Sequence, residues 1–229
     1  MTTEHKSSHL IPNVQKMVDE YAFPDAVDIL EMNPKSRPTP AEILTIACKI
    51  GRADVFRNYR EEKLDIEMKR EFLYIASEKG HVNVINELRM GLEMTREDAC
   101  AHDNCALEEA AQNGHIPVLI ELRTNWELTR EDVRGSNNYT IWFAARNGHV
   151  GVLIELRTNW GLTRDDVRAS DNKVLQIAAS NGRVRVLAEL REGWGLTQDD
   201  ARADENHAIR FAARNGHVSV LVELRTNWG

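Results

Sequence analysis

Four histidines occupy one register of a 34-residue spacing, and repeated histidines are the first residues to test as metal ligands. They are His81, His115, His149 and His217, and Arg183 holds the same register. Ligands of one zinc ion each lie about 2 Å from the metal, whereas equivalent positions on packed helices are about 8–10 Å apart. Equivalent histidines therefore cannot share an ion, and we expect them to hydrogen-bond a turn.

Paired carboxylates such as Glu131-Asp132 and Asp165-Asp166 are a second group with possible chemistry, as a calcium site or an acid–base dyad. Each pair follows a threonine at a predicted helix start and lacks the glycine and glutamate of an EF-hand. Negative side chains at that position favour the helix dipole. We therefore interpret the pairs as helix-starting residues.

Other motifs of enzymes are missing from the sequence. No phosphate-binding loop, Gly-x-Ser-x-Gly elbow or His-Glu-x-x-His pair occurs, and Cys100 and Cys105 lack Cys-x-x-Cys spacing. We therefore predict no catalytic residue, no cofactor and no metal. We expect no hydrolase, transferase or metal-dependent activity from these 229 residues.

The elements that position these residues repeat every 34 residues. Glu-Leu-Arg segments begin at Glu87, Glu121, Glu155, Glu189 and Glu223, and tryptophans stand at Trp126, Trp160, Trp194 and Trp228. Ile46-Ala47 and Gly51-Arg52 mark an earlier unit that lies 29 residues before the next one. We interpret this unit as a shortened first repeat.

Each unit is predicted to form two helices. In one unit Ala106, Leu107, Ala110 and Ala111 form an apolar stripe at helical spacing, and Asn113-Gly114 ends that helix. Val118, Leu119 and Leu122 share one face of the second helix. The connection has a Thr-x-x-Asp start typical of a helix cap, so we predict a short helical turn there.

The period divides the chain into an N-terminal helical cap and a repeat array. Residues 1–38 contain a predicted amphipathic helix from Val14 to Tyr21 and a second apolar segment, which we expect to cover the first repeat. The array begins with the shortened repeat, at about 39–67, and continues with repeats at about 68–101, 102–135, 136–169, 170–203 and 204–229. Because the last repeat stops at its second helix, the pattern favours a fragment of a longer protein.

The repeated tryptophans have two interpretations, a surface for stacking a ligand or a core that joins repeat to repeat. Their near-identity between units favours the core, because residues that pack one repeat on the next must be the same in each. A tryptophan ring that contacts two units buries a large apolar area. We therefore predict that Trp126, Trp160, Trp194 and Trp228 are buried.

One segment of each unit resembles the core of ankyrin repeats. Ala110 to His115, followed by Val118-Leu119 and Leu122, is similar to the pattern Ala-Ala-x-x-Gly-His-x-x-Val-Val-x-x-Leu-Leu, and Ala144 to His149 and Ala212 to His217 are closer still. The resemblance covers about Thr39 to Trp228. It implies an all-α fold, an α-solenoid of stacked ankyrin-like helix pairs.

The sequence also departs from that family. The usual Thr-Pro-Leu-His opening is replaced by residues such as Cys105-Ala106-Leu107-Glu108, and Trp-Gly-Leu-Thr-x-Asp-Asp stands where the β-hairpin would be. We therefore expect short helical connections in place of β-hairpins. Tetratricopeptide arrays also have a 34-residue period, but their Trp-x-x-Leu-Gly-x-x-Tyr pattern is missing.

The resemblance implies a non-catalytic module that binds a protein partner on a concave face. In style the units are similar to those of ankyrin-repeat effectors that intracellular bacteria deliver into host cells, where the partner would be a host protein. An alternative is the substrate-recruiting region of an enzyme whose catalytic domain lies beyond residue 229.

Composition excludes several other classes. The net charge is −7 and no Lys/Arg cluster occurs, so we predict no nucleic-acid binding. No apolar stretch approaches the roughly 18 residues of a membrane span. Three cysteines and a polar N-terminus favour the cytoplasm, and we expect a monomer.

The positions that vary between units identify the candidate binding face. They lie at i, i+3 and i+7 of each first helix and so share one face, which in an ankyrin-like array lines the concave groove. The alternative is that Trp142 packs against a neighbouring helix and the charges only solvate the surface. The candidate residues are Tyr74, Glu108, Tyr139, Trp142, Arg146, Lys173, Gln176, His207, Arg210 and Arg214.

Overall fold

The computed structural model describes residues 39–60, 62–135 and 138–229. Within them every regular element is a helix and there is no β-strand, so the prediction of an all-helical chain is confirmed for this part. The predicted helix pair of residues 1–38 lies outside the described residues.

The helices alternate between a first and a second member of each unit. The first members are α1 (Pro40–Ile50), α3 (Ile66–Lys79), α6 (Ala101–Asn113), α9 (Tyr139–Asn147), α11 (Arg164–Ser180) and α13 (Gln198–Arg214). The second members are α2 (Ala53–Phe56), α4 (Val82–Gly91), α7 (Ile116–Thr124), α10 (Val150–Thr158), α12 (Val184–Glu192) and α14 (Val218–Asn227). A 3₁₀ turn (Arg57–Tyr59) follows α2, and short helices α5 (Arg96–Ala99) and α8 (Arg130–Gly135) connect units.

The helices form two rows. Each first helix contacts the first helices of the neighbouring units, from α1 through α3, α6, α9 and α11 to α13. The second helices contact one another in the same order, and each also packs on the first helix of its own unit. One hydrophobic core runs between the rows through all the described units.

The repeated tryptophans belong to this core, as predicted. Trp160 is only 5% exposed, and Trp126, Trp194 and Trp228 are buried to a similar degree. Leu92 occupies the equivalent position in an earlier unit and is also buried. The tryptophans therefore lie in the core and do not form a ligand surface.

The connections begin as the Thr-x-x-Asp motif predicts. At Thr163 the side chain and backbone form a reciprocal capping box with Asp166, and the same box starts the helices after Thr95 and Thr197. The capping aspartate also accepts a hydrogen bond from an arginine of the preceding unit, since Arg134 Nε lies 2.6 Å from Asp166 Oδ1. One carboxylate thus caps its own helix and binds its neighbour.

The entry into the first helix is not the simple helical turn that the sequence suggests. Inside α11, Ala169 is extended, and Ser170, Asp171 and Asn172 follow with φ of 54°, 57° and 60°. The same sequence of conformations occurs in α13 at Asp204, Glu205 and Asn206. Three successive left-handed residues reverse the chain between the short connecting helix and the long first helix.

The repeated histidines join each unit to the one before it. Nε2 of His115 lies 2.8 Å from the carbonyl oxygen of Glu78, and His149 and His217 make the same bond to Gln112 and Ser180. Arg183 substitutes for the imidazole, because its Nε donates to the carbonyl of Arg146 at 2.8 Å. The prediction that these histidines hydrogen-bond a turn is confirmed.

Candidate protein-binding face

The row of first helices places the predicted binding residues side by side. Tyr74 lies on α3 and Glu108 lies on α6, and the other eight residues lie on α9, α11 and α13. Those on α9 are Tyr139, Trp142 and Arg146; those on α11 are Lys173 and Gln176; those on α13 are His207, Arg210 and Arg214. Because α9 contacts α11 and α11 contacts α13, the three groups occupy adjacent stripes.

The centre of this face is a cluster of three aromatic rings on α9. Tyr139 meets Trp142 edge to face, with ring centroids 5.0 Å apart and an interplanar angle of 89°. Tyr139 also stacks on Phe143 at 5.9 Å. Tyr139 is 41% exposed, so this cluster presents an apolar surface to solvent.

Trp142 is less exposed than its polar register suggests. Its ring is half-buried and packs against the hydrophobic core, and its Nε1 is buried without a hydrogen-bond acceptor among the described residues. Trp142 therefore supports Tyr139 from below while it exposes part of its own ring. The alternative that Trp142 packs within the scaffold therefore holds for part of this side chain, and its contact with a partner stays a prediction.

A second aromatic group lies on α13. The imidazole of His207 stacks on Phe211 with centroids 4.0 Å apart and planes 2° from parallel. The guanidinium of Arg214 lies 5.9 Å from the centroid of the same ring, within the range of a cation–π interaction. His207 Nδ1 is also 3.1 Å from Asp204 Oδ2, which fixes the imidazole plane.

Sequence reasoning missed Phe143 and Phe211, which lie in one register of the first helix. This register is i+4 from Tyr139 and from His207, whereas the candidate face was drawn at i, i+3 and i+7. The other members of the register are Ile75, Glu109 and Ile177. A signal was present, because this register also varies between units.

Gln176 differs from the rest of the predicted set because it is buried, with 7% of its surface exposed. Its amide nitrogen donates to the carbonyl of Asp171 at 2.8 Å and to Asp204 Oδ2 at 3.2 Å. Gln176 thus holds the left-handed segments of two units together. Its polarity serves the scaffold, and a partner on this face would not reach most of its side chain.

Four cations belong to the predicted face. Arg146, Arg210 and Arg214 are exposed, and Lys173 is half-buried. Arg210 lies 3.4 Å from Glu205, whereas Arg146 and Arg214 have no carboxylate within ion-pair distance in the described part of the chain. The C-terminal half of the face therefore carries positive charge that the protein itself neutralises only in part.

The N-terminal half of the face is acidic. Tyr74 is exposed and lies near the carboxylate of Glu109 on α6. Burial and then the Glu109 charge raise the pKa of Tyr74, and burial raises the pKa of Glu109. A shallow cavity of about 290 Å³ beside Tyr74 is lined by Glu71 and Asp98, while Glu108 is half-buried nearby on α6.

Two other kinds of site receive no support from the geometry. No three His, Cys, Asp or Glu side chains come together closely enough to hold a metal ion in the described ranges. No helix among the same residues is long and apolar enough to cross a membrane.

Comparisons with known proteins do not extend this picture. No family model matches the chain, and no curated protein is similar to it. Function is therefore inferred from the face itself.

Proposed function

We propose that this chain is a non-catalytic interaction module, an ankyrin-like α-solenoid that binds a protein partner on the face of its first helices. The observation that carries the proposal is the contrast between registers that are the same in every unit and registers that differ. The constant registers make contacts between units, and the varied registers face solvent or line the row of first helices.

The constant registers account for the scaffold. Glycine, histidine or arginine, and the capping aspartate recur because each makes the same contact with a neighbouring unit, and the tryptophans recur because each is buried in the core. A scaffold of stacked units fixes the backbone of each helix pair. Adaptation to a ligand can therefore act on the registers that stacking leaves free, and those registers contain the two aromatic groups.

The residue types on this face indicate the chemistry of the partner that it would bind. Exposed aromatic rings flanked by arginines are the residue types that dominate protein interfaces. Tyr139 offers its ring to an apolar side chain, while Arg146 and Arg214 offer guanidinium groups that no carboxylate of the described chain neutralises. The face therefore suits an acidic protein segment that carries one apolar or aromatic anchor.

A displayed library of random peptides, selected on the full chain, tests this function. We expect enrichment of acidic peptides with one large apolar residue. Arg214→Glu should weaken the selected peptides by more than about 10-fold, because it replaces an attractive charge at the face by a repulsive one. Fluorescence anisotropy with a labelled peptide measures the change.

Arg185→Glu is the matched control, because Arg185 is also exposed but lies on α12 in the other row of helices. It makes the same change of net charge, and we expect less than about a twofold effect on the selected peptides. Equal weakening by the two variants, or enrichment of peptides without an apolar anchor, would contradict the proposal.

A further inference from the structure

One unit departs from the others at two positions around the start of α12. Arg183 holds the register where four other units have histidine, and Arg185 holds a register that is uncharged in the same four units. The shortened first unit also has an arginine in the first of these registers, Arg52, but its second register holds Asp54, which pairs with Arg52 at 2.6 Å. The uncharged residues in the second register are Asn83, Pro117, Gly151 and Ser219.

The guanidinium of Arg183 is held in one place and keeps two donor groups free. Its Nε donates to the carbonyl of Arg146 at 2.8 Å, and its side chain lies across Gly148, where a Cβ atom would come within 3.1 Å of Cδ and 3.8 Å of Nη1. Neither Nη atom donates a hydrogen bond to any residue that the structure describes. A histidine in this register directs Nε2 at the carbonyl and Nδ1 at the glycine, as His149 does, so it presents no further donor to a ligand.

Arg185 adds a second guanidinium beside the first. A cavity of about 280 Å³ is lined by both arginines and by the glycines of two successive turns, Gly148 and Gly182. Both arginines are exposed, and neither pairs with a carboxylate in the described ranges. The cavity therefore carries two positive charges that the described chain does not neutralise.

The surroundings of this cavity lack acidic residues. Residues 139–154, 173–188 and 207–222 fall in the same registers of three adjacent units, and they contain no aspartate or glutamate but six lysines and arginines. The equivalent segments of the two preceding units, 71–86 and 105–120, contain four glutamates and one lysine. Because the whole chain has a net charge of −7, this local excess of cations favours an anionic ligand here.

We propose that Arg183 and Arg185 form a binding site for a phosphate group carried on a protein segment, in the form of a phosphorylated serine or threonine side chain. Such a phosphate is close to dianionic and has three acceptor oxygens. These oxygens accept hydrogen bonds from the two Nη groups of Arg183 and from the guanidinium of Arg185. Arginine binds phosphate through two parallel N–H···O bonds, and the Nε bond to Arg146 orients Arg183 before the ligand arrives.

The two arginines define this site, and the start of the helix does not. The second helices α4, α7, α10 and α14 follow the same glycine turn without a pair of arginines. Two guanidinium groups suit a dianion better than a carboxylate, which balances only one of them. A nucleic acid fits less well, because its many phosphates would also approach exposed carboxylates of the connections, such as Asp165 and Asp199.

This site is separate from the aromatic face. It lies at the start of α12, in the row of second helices, and uses neither Tyr139 nor Arg214. Displayed random peptides carry no phosphate, so Arg185→Glu remains a valid control for the aromatic face.

An array of degenerate peptides, probed with the full chain, tests the site. Each peptide is made with serine, phosphoserine or glutamate at its central position. We expect the phosphoserine forms to bind at least about 10-fold more tightly than the serine forms and about fivefold more tightly than the glutamate forms, because glutamate supplies less charge and fewer oxygens. Titration with inorganic phosphate, followed by NMR, should shift the Nε–Hε signals of Arg183 and Arg185 more than those of other arginines.

Arg183→His is the most informative variant, because it introduces the residue of the other units and keeps a donor for the Arg146 carbonyl. We expect it to weaken phosphoserine peptides by more than about fivefold and to change the melting temperature by less than about 2 °C. Arg185→Ser, which introduces the residue found in this register of α14, should weaken them to a similar degree. Arg225→Ser is the matched control, since Arg225 is exposed near the end of α14 and the variant loses the same charge, so the affinity should change by less than about twofold.

Three results would overturn the proposal. In the first, phosphoserine forms bind no more tightly than glutamate forms. In the second, Arg183→His and Arg185→Ser both leave the phosphoserine affinity unchanged, so that phosphate binds elsewhere. In the third, single-stranded RNA or vesicles with anionic lipids bind in a manner that Arg183→His weakens while phosphoserine peptides do not bind, so that the phosphate comes from another class of partner.

Discussion

His149 covers Gly114 of the preceding unit so closely that a Cβ atom at position 114 would lie 2.7 Å from Nδ1 of the imidazole. The other ring nitrogen lies 2.9 Å from the carbonyl of Gln112, and the backbone of Gly114 has φ of +79°. The glycine thus ends its own helix and leaves the space that the next unit fills. Gly51, Gly80 and Gly182 stand in the same relation to His81, His115 and His217.

We expect Gly114→Ala to lower the free energy of unfolding by about 2–5 kcal/mol. A left-handed non-glycine residue costs roughly 1–2 kcal/mol, and overpacking against the imidazole adds about 1–3 kcal/mol. Gly216→Ala is the control, since Gly216 has φ of +74° in the same register but open space around it. Gly216→Ala should lower the free energy of unfolding only by the cost of the left-handed backbone. If urea denaturation shows the same decrease for both variants, the imidazole has no role.

Trp160→Ala should destabilise the array by roughly 3–5 kcal/mol, because the removed ring leaves a large cavity in the core. Trp160→Phe should lose much less, since the indole Nε1 has no hydrogen-bond partner within the described chain and phenylalanine keeps most of the apolar contact. Thermal and urea unfolding measure both. If the melting temperature barely changed in the alanine variant, the buried position of Trp160 would be wrong.

Asp200 should make the stability of the array depend on acid pH. Burial by itself would raise the pKa of Asp200, but hydrogen bonds from Arg168, from the Thr197 backbone and from Arg164 outweigh it and lower the pKa to about 2. A lowered pKa in the folded state adds stability that is complete above the unfolded pKa of about 4 and is lost as the pH falls towards 2.

The measurement compares wild type with Asp200→Asn by urea unfolding between pH 7 and pH 2. We expect a difference of about 2 kcal/mol at neutral pH, since one pKa unit corresponds to about 1.4 kcal/mol, and a shrinking difference below pH 4. Asp199→Asn is the control, because Asp199 is exposed beside it. A difference that stays constant down to pH 2 would show that the carboxylate charge is not responsible.

The aromatic cluster leads to a prediction that separates binding from folding. Tyr139→Ala should weaken a peptide selected on this face by more than about 10-fold, as removal of an interface anchor does, and should change the melting temperature little because Tyr139 is substantially exposed. Trp142→Ala should weaken binding and also destabilise the fold, because Trp142 packs against the core. Unchanged peptide affinity in the Tyr139 variant would place the binding site elsewhere.

Local patterns were sufficient to predict much of the scaffold. Apolar spacing identified the helix pairs, the Thr-x-x-Asp motif identified the connecting helices, and repetition identified Trp160 as a core residue. Each of these depends on near neighbours in sequence or on one residue type that returns at a fixed interval. The left-handed run Ser170 to Asn172 escaped prediction, because none of its residues is a glycine and its conformation depends on the packing of α11 and on contacts such as that of Gln176 with Asp171.

The candidate site was predictable only as a set of registers. The period places Tyr139, Arg146 and Arg214 on one face, and their types suggest a partner. Distance and burial then divide that set. Gln176 turns inwards to Asp171 and Asp204, and Trp142 is half-buried. Phe143 and Phe211 stack on Tyr139 and His207 from a register outside the predicted set. A varied register can serve either the surface or a specific internal contact, and the sequence does not distinguish these two.

By itself the sequence determined an all-helical chain of repeated units, with glycine turns, capped connections and buried tryptophans, because helix periodicity and capping depend on residues a few positions apart. The tertiary structure decided which unit supplies the partner of each repeated side chain. His149 covers Gly114 and Arg134 pairs with Asp166, and in each case the two residues belong to neighbouring units. These contacts join residues more than 30 positions apart, so they exist only after the helices have packed.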